Sequence, residues 1–235
     1  MKFLNWNTEW AKPGSRRGQR VADRIADHQP DMACLTEAYP EILPDHGHTI
    51  TSSDKSGYEN KGGRRKVALW SREPWSDEWQ AEESQLPGGR FISGVTSGYR
   101  VVGLCIPWSM AHVSTGRRDR KPWEDHLSYL EALTPILAQF RAEPEPLLVA
   151  GDWNQRIPRT SQPEDAFAKL MDAVSGLRVV TSGISVEIGE NLIDHLAITP
   201  ALETSPLRVL PARDETGKPL SDHIGYSLEI SGLGV

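Results

Sequence analysis

The chain has 235 residues, a formal net charge of −6 at pH 7 and two cysteines. This length suits one sizeable core, so we expect a single domain over residues 1–235. The acidic charge argues against a protein that coats nucleic acid through global charge, although a local basic surface still acts over a Debye length of roughly 8 Å. No apolar run approaches the roughly 18 residues of a membrane span, and no basic-then-apolar leader follows Met1, so we predict a cytoplasmic protein.

The periodicity of apolar residues predicts strands that alternate with a few helices. The first half reads as a strand over 2–6, a helix over 16–28, strands over 32–36, 48–52 and 66–71, and a hairpin of 91–96 and 99–106. The second half reads as a helix over 122–141, a strand over 146–150, a helix over 164–174, and strands near 177–181, 192–199, 207–210 and 224–230. Cys34 and Cys105 lie in apolar runs without CxxC spacing, which predicts buried, reduced thiols.

Polar side chains recur where predicted strands end or begin. The segments are Asn5-Trp6-Asn7, Leu35-Thr36-Glu37, Gly151-Asp152-Trp153-Asn154, Ile193-Asp194-His195 and Ser221-Asp222-His223. A β-sheet can deliver metal ligands and a proton acceptor to one rim in this way. Five such segments in succession predict a single polar site built from five strand ends.

Taken in order, this set resembles the endonuclease/exonuclease/phosphatase superfamily, which includes exonuclease III, pancreatic deoxyribonuclease and the inositol polyphosphate 5-phosphatases. The resemblance spans nearly the whole chain. It implies an α/β (α+β) fold, a four-layered α/β sandwich in which two mostly antiparallel β-sheets pack face to face with helices outside. It also implies a phosphoesterase site with a divalent metal at one edge.

Hydrolysis of a phosphate ester needs a nucleophilic water, neutralised phosphoryl oxygens and a stabilised leaving oxygen. Mg²⁺ suits the last two tasks because it prefers oxygen ligands, and Mn²⁺ is a candidate substitute. Glu37 is the leading ligand candidate, with Asn7 touching the ion or its water and Asp222 facing the metal region. Glu9 either assists the same metal or is an exposed charge.

His223 is the candidate general base, because an imidazole accepts a proton near neutrality when a carboxylate orients its other nitrogen. The resemblance assigns that carboxylate to Asp194. Alternation along an extended segment turns His195 away from the site. Asp152 and Asn154 share one face, so Asp152 can hold the attacking water and Asn154 can donate to a phosphoryl oxygen.

Substrate contacts are expected from loops. The run after the strand at 101–105 is Ile106-Pro107-Trp108-Ser109, where abasic-site endonucleases of the family carry Tyr-x-Pro-Asn and the pancreatic enzyme a histidine. Trp108, Ser109 and His112 are therefore the candidates for part of that role. Basic clusters include Arg64, Arg65, Arg117 and Arg118, which either hold the phosphates of a polyanion or are solvated charges.

The sequence therefore predicts a Mg²⁺-dependent phosphoesterase, foremost a nuclease that hydrolyses phosphodiesters of DNA or RNA. One alternative is a phosphatase or phosphodiesterase acting on inositol, sugar or lipid head-group phosphates. A second alternative, from a different functional class, is an inactive phosphate- or nucleic-acid-binding module. Nucleic acid is the expected partner, and the sequence leaves the oligomeric state open.

Overall fold

Two mixed β-sheets face each other in the computed structural model, which describes residues 1–55, 57, 62–81, 85–86, 88–187 and 190–232. In chain order the elements are β1 (Lys2–Asn7), α1 (Arg16–His28), β2 (Met32–Ala38), a 3-10 turn at Pro40–Ile42, β3 (His48–Thr51), β4 (Arg65–Ser71), β5 (Ser76–Trp79), β6 (Phe91–Thr96), β7 (Tyr99–Cys105), α2 (Glu124–Arg141), β8 (Leu147–Asp152), α3 (Glu164–Ala173), β9 (Arg178–Val179), β10 (Ser185–Glu187), β11 (Glu190–Asn191), β12 (Asp194–Ile198), β13 (Glu203–Thr204), β14 (Arg208–Leu210) and β15 (Gly225–Ser231). Strands thus dominate both halves, as predicted.

The first sheet has the order β13-β15-β1-β2-β4-β3, with β14 also paired to β15. The second has the order β5-β6-β7-β8-β12-β9. Each is mostly antiparallel, but β1 and β2 are parallel, as are β7 and β8. In both cases a helix, α1 or α2, carries the chain back between the paired strands, which is the connection that parallel neighbours require.

Three apolar clusters define the layers. One lies between the sheets and joins residues such as Phe3 and Leu69 to Ile92 and Leu148. A second packs α2 and α3 against the second sheet, and a third packs α1 against the first. The layer order is therefore α1, first sheet, second sheet, then α2 with α3. The predicted four-layered α/β sandwich is confirmed.

Two local differences from the predicted elements have plain causes. Helix α2 begins at Glu124, two residues late, because Trp123 has a left-handed backbone with φ of 69°. Strand β5 was missed because its side chains are mostly exposed and polar, which leaves no apolar alternation to detect. Both cysteines are buried and free, as expected.

Among the described helices, none combines the length and apolar character needed to cross a membrane.

Candidate active site

The strand ends that carry the polar motifs meet at one rim of the sandwich. β1 and β2 run parallel, so Asn7 pairs with Thr36 and lies beside Glu37. β12 runs antiparallel to β8 with Asp194 opposite Asp152, so the start of one strand meets the end of the other. β15 runs antiparallel to β1, which brings the residues before Gly225 to the end of β1. The topology therefore gathers all five segments, as the sequence predicted.

His223 and Asp194 form a hydrogen-bonded pair. The Nδ1 atom of His223 lies 2.5 Å from Oδ2 of Asp194, and Asp194 is almost fully buried. The ring is positioned through its backbone, because His223 N donates to Ser221 Oγ and the Trp6 indole N–H donates to the His223 carbonyl. With the Asp194 carboxylate accepting from Nδ1, the neutral ring carries its proton there and leaves Nε2 able to accept one.

Asp152 is held by two asparagines. Its Oδ2 accepts from Asn7 Nδ2 at 3.2 Å, and its Oδ1 accepts from the Asn154 backbone N–H at 3.0 Å. The Asn7 side-chain oxygen accepts from the Glu9 backbone N–H, and Asn154 Nδ2 donates to the Ile106 carbonyl. Asn7 therefore fixes the Asp152 carboxylate, and Asn154 ties that loop to the segment before Pro107.

Asp152, Asp194 and His223 bind protons more tightly than such groups usually do. Burial first, then the charges of Asp194 and Glu37, raise the pKa of Asp152 to about 7, against the opposing effect of His223. The pKa of Asp194 is also raised, by burial above all. Burial acts to lower the pKa of His223, but Asp194, Asp152 and Asp222 outweigh it and raise the value to about 10. The ring is therefore protonated at neutral pH in the metal-free protein, and a cation bound beside these carboxylates would lower that pKa and free Nε2 to accept a proton. Such a concentration of negative charge favours a bound cation.

The donor set fits a divalent metal ion. Asp152, Asp194 and His223 each offer a ligand atom, and these atoms lie within 4.8 Å of one another. The Glu37 charge acts on both aspartates. Oδ1 of Asp194 is buried and has no hydrogen-bond partner among the described residues, so one carboxylate lone pair remains available. Oxygen-rich sites of this kind suit Mg²⁺ or Mn²⁺.

Asp222 and Glu9 lie nearer the solvent than Asp152. The Asp222 side chain is 64% exposed, and its Oδ1 lies 3.8 Å from Nε2 of His223. It therefore borders the open side of the imidazole, opposite Asp194. Glu9 pairs with Arg17 at 2.7 Å, so its carboxylate already has an internal partner.

Lys66 was not among the predicted site residues, although it contacts one of them. Its Nζ lies 2.5 Å from Oε1 of Glu37, and its side chain is 11% exposed. The pairing follows from register, since β2 and β4 pair Thr36 with Val67 and Ala38 with Arg65. Lys66 directly follows Arg64 and Arg65 in the sequence, but only the antiparallel pairing of β2 with β4 places it against Glu37.

The candidate substrate residues lie in loops and at the start of β4. Trp108 is 52% exposed, which is unusual for a large aromatic side chain. Arg64 donates to the Tyr39 hydroxyl, and Arg65 is half-buried at the start of β4. Arg117 and Arg118 are exposed in the loop before α2, where they remain accessible to a ligand.

A network of buried, hydrogen-bonded polar side chains lies next to the loop that follows β8. His126 contacts the Pro107 carbonyl and the Gln155 amide, while His195 contacts the Gln155 carbonyl and the Thr181 hydroxyl. His195 is therefore a buried, hydrogen-bonded residue directed away from His223, as the alternation predicted. Burial lowers the pKa of both histidines to about 4, so both rings are neutral.

Several non-glycine residues at this rim have a left-handed backbone. They are Glu9, Trp10, Glu37 and Asn154, with φ between 46° and 57°. This conformation is uncommon outside glycine and concentrates where surrounding structure fixes a functional geometry. At Glu37 it is held by backbone contacts, because the Glu37 carbonyl accepts from the Trp10 N–H and the Thr8 hydroxyl.

Comparison with known families gives a match over nearly the whole chain. The model of the Endonuclease/Exonuclease/phosphatase family matches residues 4–223, which include every strand-end motif described above. The chain belongs to this family. No match was found among curated protein sequences.

Several solved structures share the fold of this chain. A 3′ phosphatase, NExo from Neisseria, bound to a product DNA hairpin, has a TM-score of 0.70 and 20% identity over 98% of this chain and 99% of that chain. An AP endonuclease from Archaeoglobus fulgidus has a TM-score of 0.71 and 18% identity, with coverage of 98% and 99%. A humanized D. rerio TDP2 has a TM-score of 0.65 and 13% identity, with coverage of 98% of each chain.

Proposed function

We propose that this family member is a Mg²⁺-dependent phosphoester hydrolase, foremost a nuclease that cleaves phosphodiester bonds of DNA or RNA. The observation that carries the proposal is the His223–Asp194 pair at 2.5 Å, with the Asp152 carboxylate in the same group of ligand atoms. This arrangement combines a proton acceptor with a cation site at the rim of a fold that belongs to a nuclease and phosphatase family.

We propose that Glu37, Asn7 and Asp222, with Glu9 near them, would hold the metal beside Asp152. Asp194 and His223, whose atoms lie in the same group as those of Asp152, then form the proton-accepting pair. A bound divalent cation supplies neutralisation of the phosphoryl oxygens and stabilisation of the leaving oxygen. His223 Nε2 takes the proton of the attacking water, and Asp194 keeps the imidazole in the required orientation and stabilises its protonated form.

Asp152 and Asn154 position the reacting groups. The backbone contact between them fixes the turn after β8, so the Asp152 carboxylate can orient the attacking water. The Asn154 amide donates one N–H to the Ile106 carbonyl and has a second N–H for a phosphoryl oxygen. His223 and Asp152 thus act on the nucleophile, and Asn154 on the phosphate.

A nucleic acid substrate is supported by two features of the surface. The exposed Trp108 can stack on a base, and base stacking on aromatic side chains contributes roughly 1–3 kcal/mol per base. Arg117 and Arg118, with Arg64 and Arg65 at the start of β4, offer positive charge for flanking phosphates. The NExo structure, a 3′ phosphatase bound to a DNA hairpin, favours including 3′-phosphorylated DNA among the substrates tested.

The decisive experiment is turnover with and without Mg²⁺ on a panel of plasmid DNA, abasic oligonucleotide, 3′-phosphorylated oligonucleotide, RNA and inositol phosphates. We expect His223→Ala to lower kcat roughly 10²- to 10⁴-fold on the preferred substrate. His48→Ala is the matched control, because His48 is exposed on β3 opposite Ser71, at the end of β4 remote from Lys66. Equal rates for wild type and His223→Ala on every substrate would refute the catalytic assignment.

The charge reversals Arg117→Glu and Arg118→Glu separate the substrate classes. A nuclease that uses these residues loses nucleic acid binding while retaining turnover of a small chromogenic phosphodiester. Unchanged binding of nucleic acid would remove both arginines from the substrate site. Preferential turnover of inositol phosphates would assign the alternative function.

A further inference from the structure

The ion pair between Lys66 and Glu37 places a protein cation on the carboxylate proposed to hold the metal. The Nζ–Oε1 distance is 2.5 Å, and the two side chains are 11% and 24% exposed. An ion pair this shielded is screened less by salt than a surface pair. The Lys66 ammonium therefore neutralises Glu37 in the structure described here, at the position where a divalent cation would otherwise do so.

Lys66 is also held over an aromatic ring. Its Nζ lies 4.9 Å from the centroid of the Trp10 indole, and the Arg64 guanidinium lies 5.2 Å from the same ring. Arg64 in addition lies 5.7 Å from the Tyr39 ring. Two cations thus share one indole beside Glu37, which concentrates positive charge at this side of the rim.

The geometry of Trp10 is fixed by the same backbone that fixes Glu37. The Trp10 N–H donates to the Glu37 carbonyl at 2.7 Å, and both residues have a left-handed backbone. The Trp10 backbone is therefore fixed beside Glu37, while Lys66 is a long side chain with a rotatable, three-donor head group. Lys66 can leave Glu37 without moving the strands that carry the site.

We propose that Lys66 is a built-in counter-ion of Glu37, which a divalent cation displaces and which then binds a phosphate group of the substrate. The inference rests on the proposed function, because it takes Glu37 as a metal ligand. It adds a residue that couples the two binding events: cation binding to Glu37 releases the ammonium that the phosphate needs. It also places a phosphate beside Trp10 and Arg64.

Mn²⁺ binding to the substrate-free protein tests the counter-ion role without any need for turnover. In Lys66→Met the Mn²⁺ ion no longer competes with an ammonium, so we expect its Kd to fall about tenfold at low ionic strength. Lys66→Arg keeps the charge and should bind Mn²⁺ within about threefold of wild type. Lys169→Met, which removes a lysine on α3 paired weakly with Glu131 at 3.8 Å, is the control for loss of one positive charge.

Binding of inorganic phosphate to the Mn²⁺-loaded protein tests the second role. We expect Lys66→Met to weaken phosphate binding about tenfold, with Lys66→Arg close to wild type, since a charged hydrogen bond is lost in the first variant only. Tighter Mn²⁺ binding together with weaker phosphate binding is a pattern that a merely structural lysine would not produce. Thermal unfolding of each variant with and without Mn²⁺ verifies that all of them are folded.

Different outcomes would overturn the counter-ion role of Lys66, its transfer to phosphate and the catalytic function. Unchanged or weaker Mn²⁺ binding by Lys66→Met would overturn the counter-ion role, and unchanged phosphate binding would overturn the transfer to phosphate. Glu37→Gln tests the metal assignment itself. If this variant kept wild-type Mn²⁺ affinity, Glu37 would not be a ligand, and neither the counter-ion role of Lys66 nor its transfer to phosphate would hold. Metal and phosphate binding as expected, without hydrolysis of any substrate, would support the Lys66 inference and refute only the catalytic function.

Discussion

Gly151 is the residue at which the backbone most tightly constrains the candidate active site, and Gly151→Ala tests that constraint. It precedes Asp152 at the end of β8 and pairs with Leu104 on β7. Its φ is 133°, a conformation that residues with a side chain rarely adopt. A Cβ atom at this position would lie 1.9 Å from the Leu104 carbonyl oxygen.

The expected effect follows from that distance. Real Cβ atoms essentially never approach a heavy atom within 3.0 Å, and the opposing atom belongs to the backbone of a central strand. β7 and β8 must therefore separate by about 1 Å, a shift that can lower the rate roughly 10²-fold when it reaches a reacting group. Backbone strain of about 1–3 kcal/mol and overpacking of about 1–3 kcal/mol together predict a loss of roughly 4 kcal/mol in the free energy of unfolding.

Urea unfolding followed by tryptophan fluorescence measures the stability, and kcat/KM on the preferred substrate measures the effect on Asp152. Gly98→Ala is the matched control: Gly98 also has a positive φ, of 79°, but its Cβ would meet nothing within 4 Å. It lies in the β6–β7 turn, at the end of β7 away from Cys105, and should lose about 1 kcal/mol without loss of activity. Equal effects of the two substitutions on stability and on kcat/KM would refute the reasoning.

Three further predictions rest on other contacts. Asp194→Asn should lower kcat roughly 10²- to 10⁴-fold while the protein stays folded, because the imidazole loses the carboxylate that orients it; wild-type kcat would contradict this. Because His126 and His195 have pKa values lowered to about 4, the folded protein binds fewer protons than the unfolded chain between about pH 6.5 and 4. Each histidine should therefore reduce stability as pH falls, by at most about 3 kcal/mol; His126→Gln should flatten this slope in urea titrations. Trp108→Ala should weaken nucleic acid binding by about 1–3 kcal/mol and change the unfolding free energy by less than about 0.5 kcal/mol, and equal affinity in both proteins would exclude stacking.

Much of the fold could be predicted because its strands are apolar runs bounded by polar motifs. β1, β8 and β12 bury every residue or nearly every residue, and such runs are recognisable without a partner. The edge strand β5 has an exposed, polar sequence, and its strand character comes from pairing with β6. The start of α2 was misplaced because the backbone of Trp123 is determined by the preceding loop, whose Ser109 carbonyl accepts from the Trp123 N–H.

The candidate site was predicted as a set of residues, but not as a set of contacts. Asp194 and His223 are 29 positions apart in the chain, and the resemblance to the family supplied their pairing before the structure placed them 2.5 Å apart. The salt bridge of Glu9 with Arg17 depends on how the start of α1 lies against the segment after β1, and the hydrogen bond between Asn7 and Asp152 depends on how β1 meets β8. No local pattern in the sequence encodes these contacts.

The sequence by itself determined the acidic, amide and imidazole groups at the strand ends, and its resemblance to the family supplied the layered architecture. The strand-end groups are local features, since each depends on an apolar run and the residues that follow it. Only the tertiary structure decided which groups face one another, and Lys66 against Glu37 is the clearest case. That contact requires β2 and β4 to pair in one register, and register is fixed by packing of both faces of the sheet.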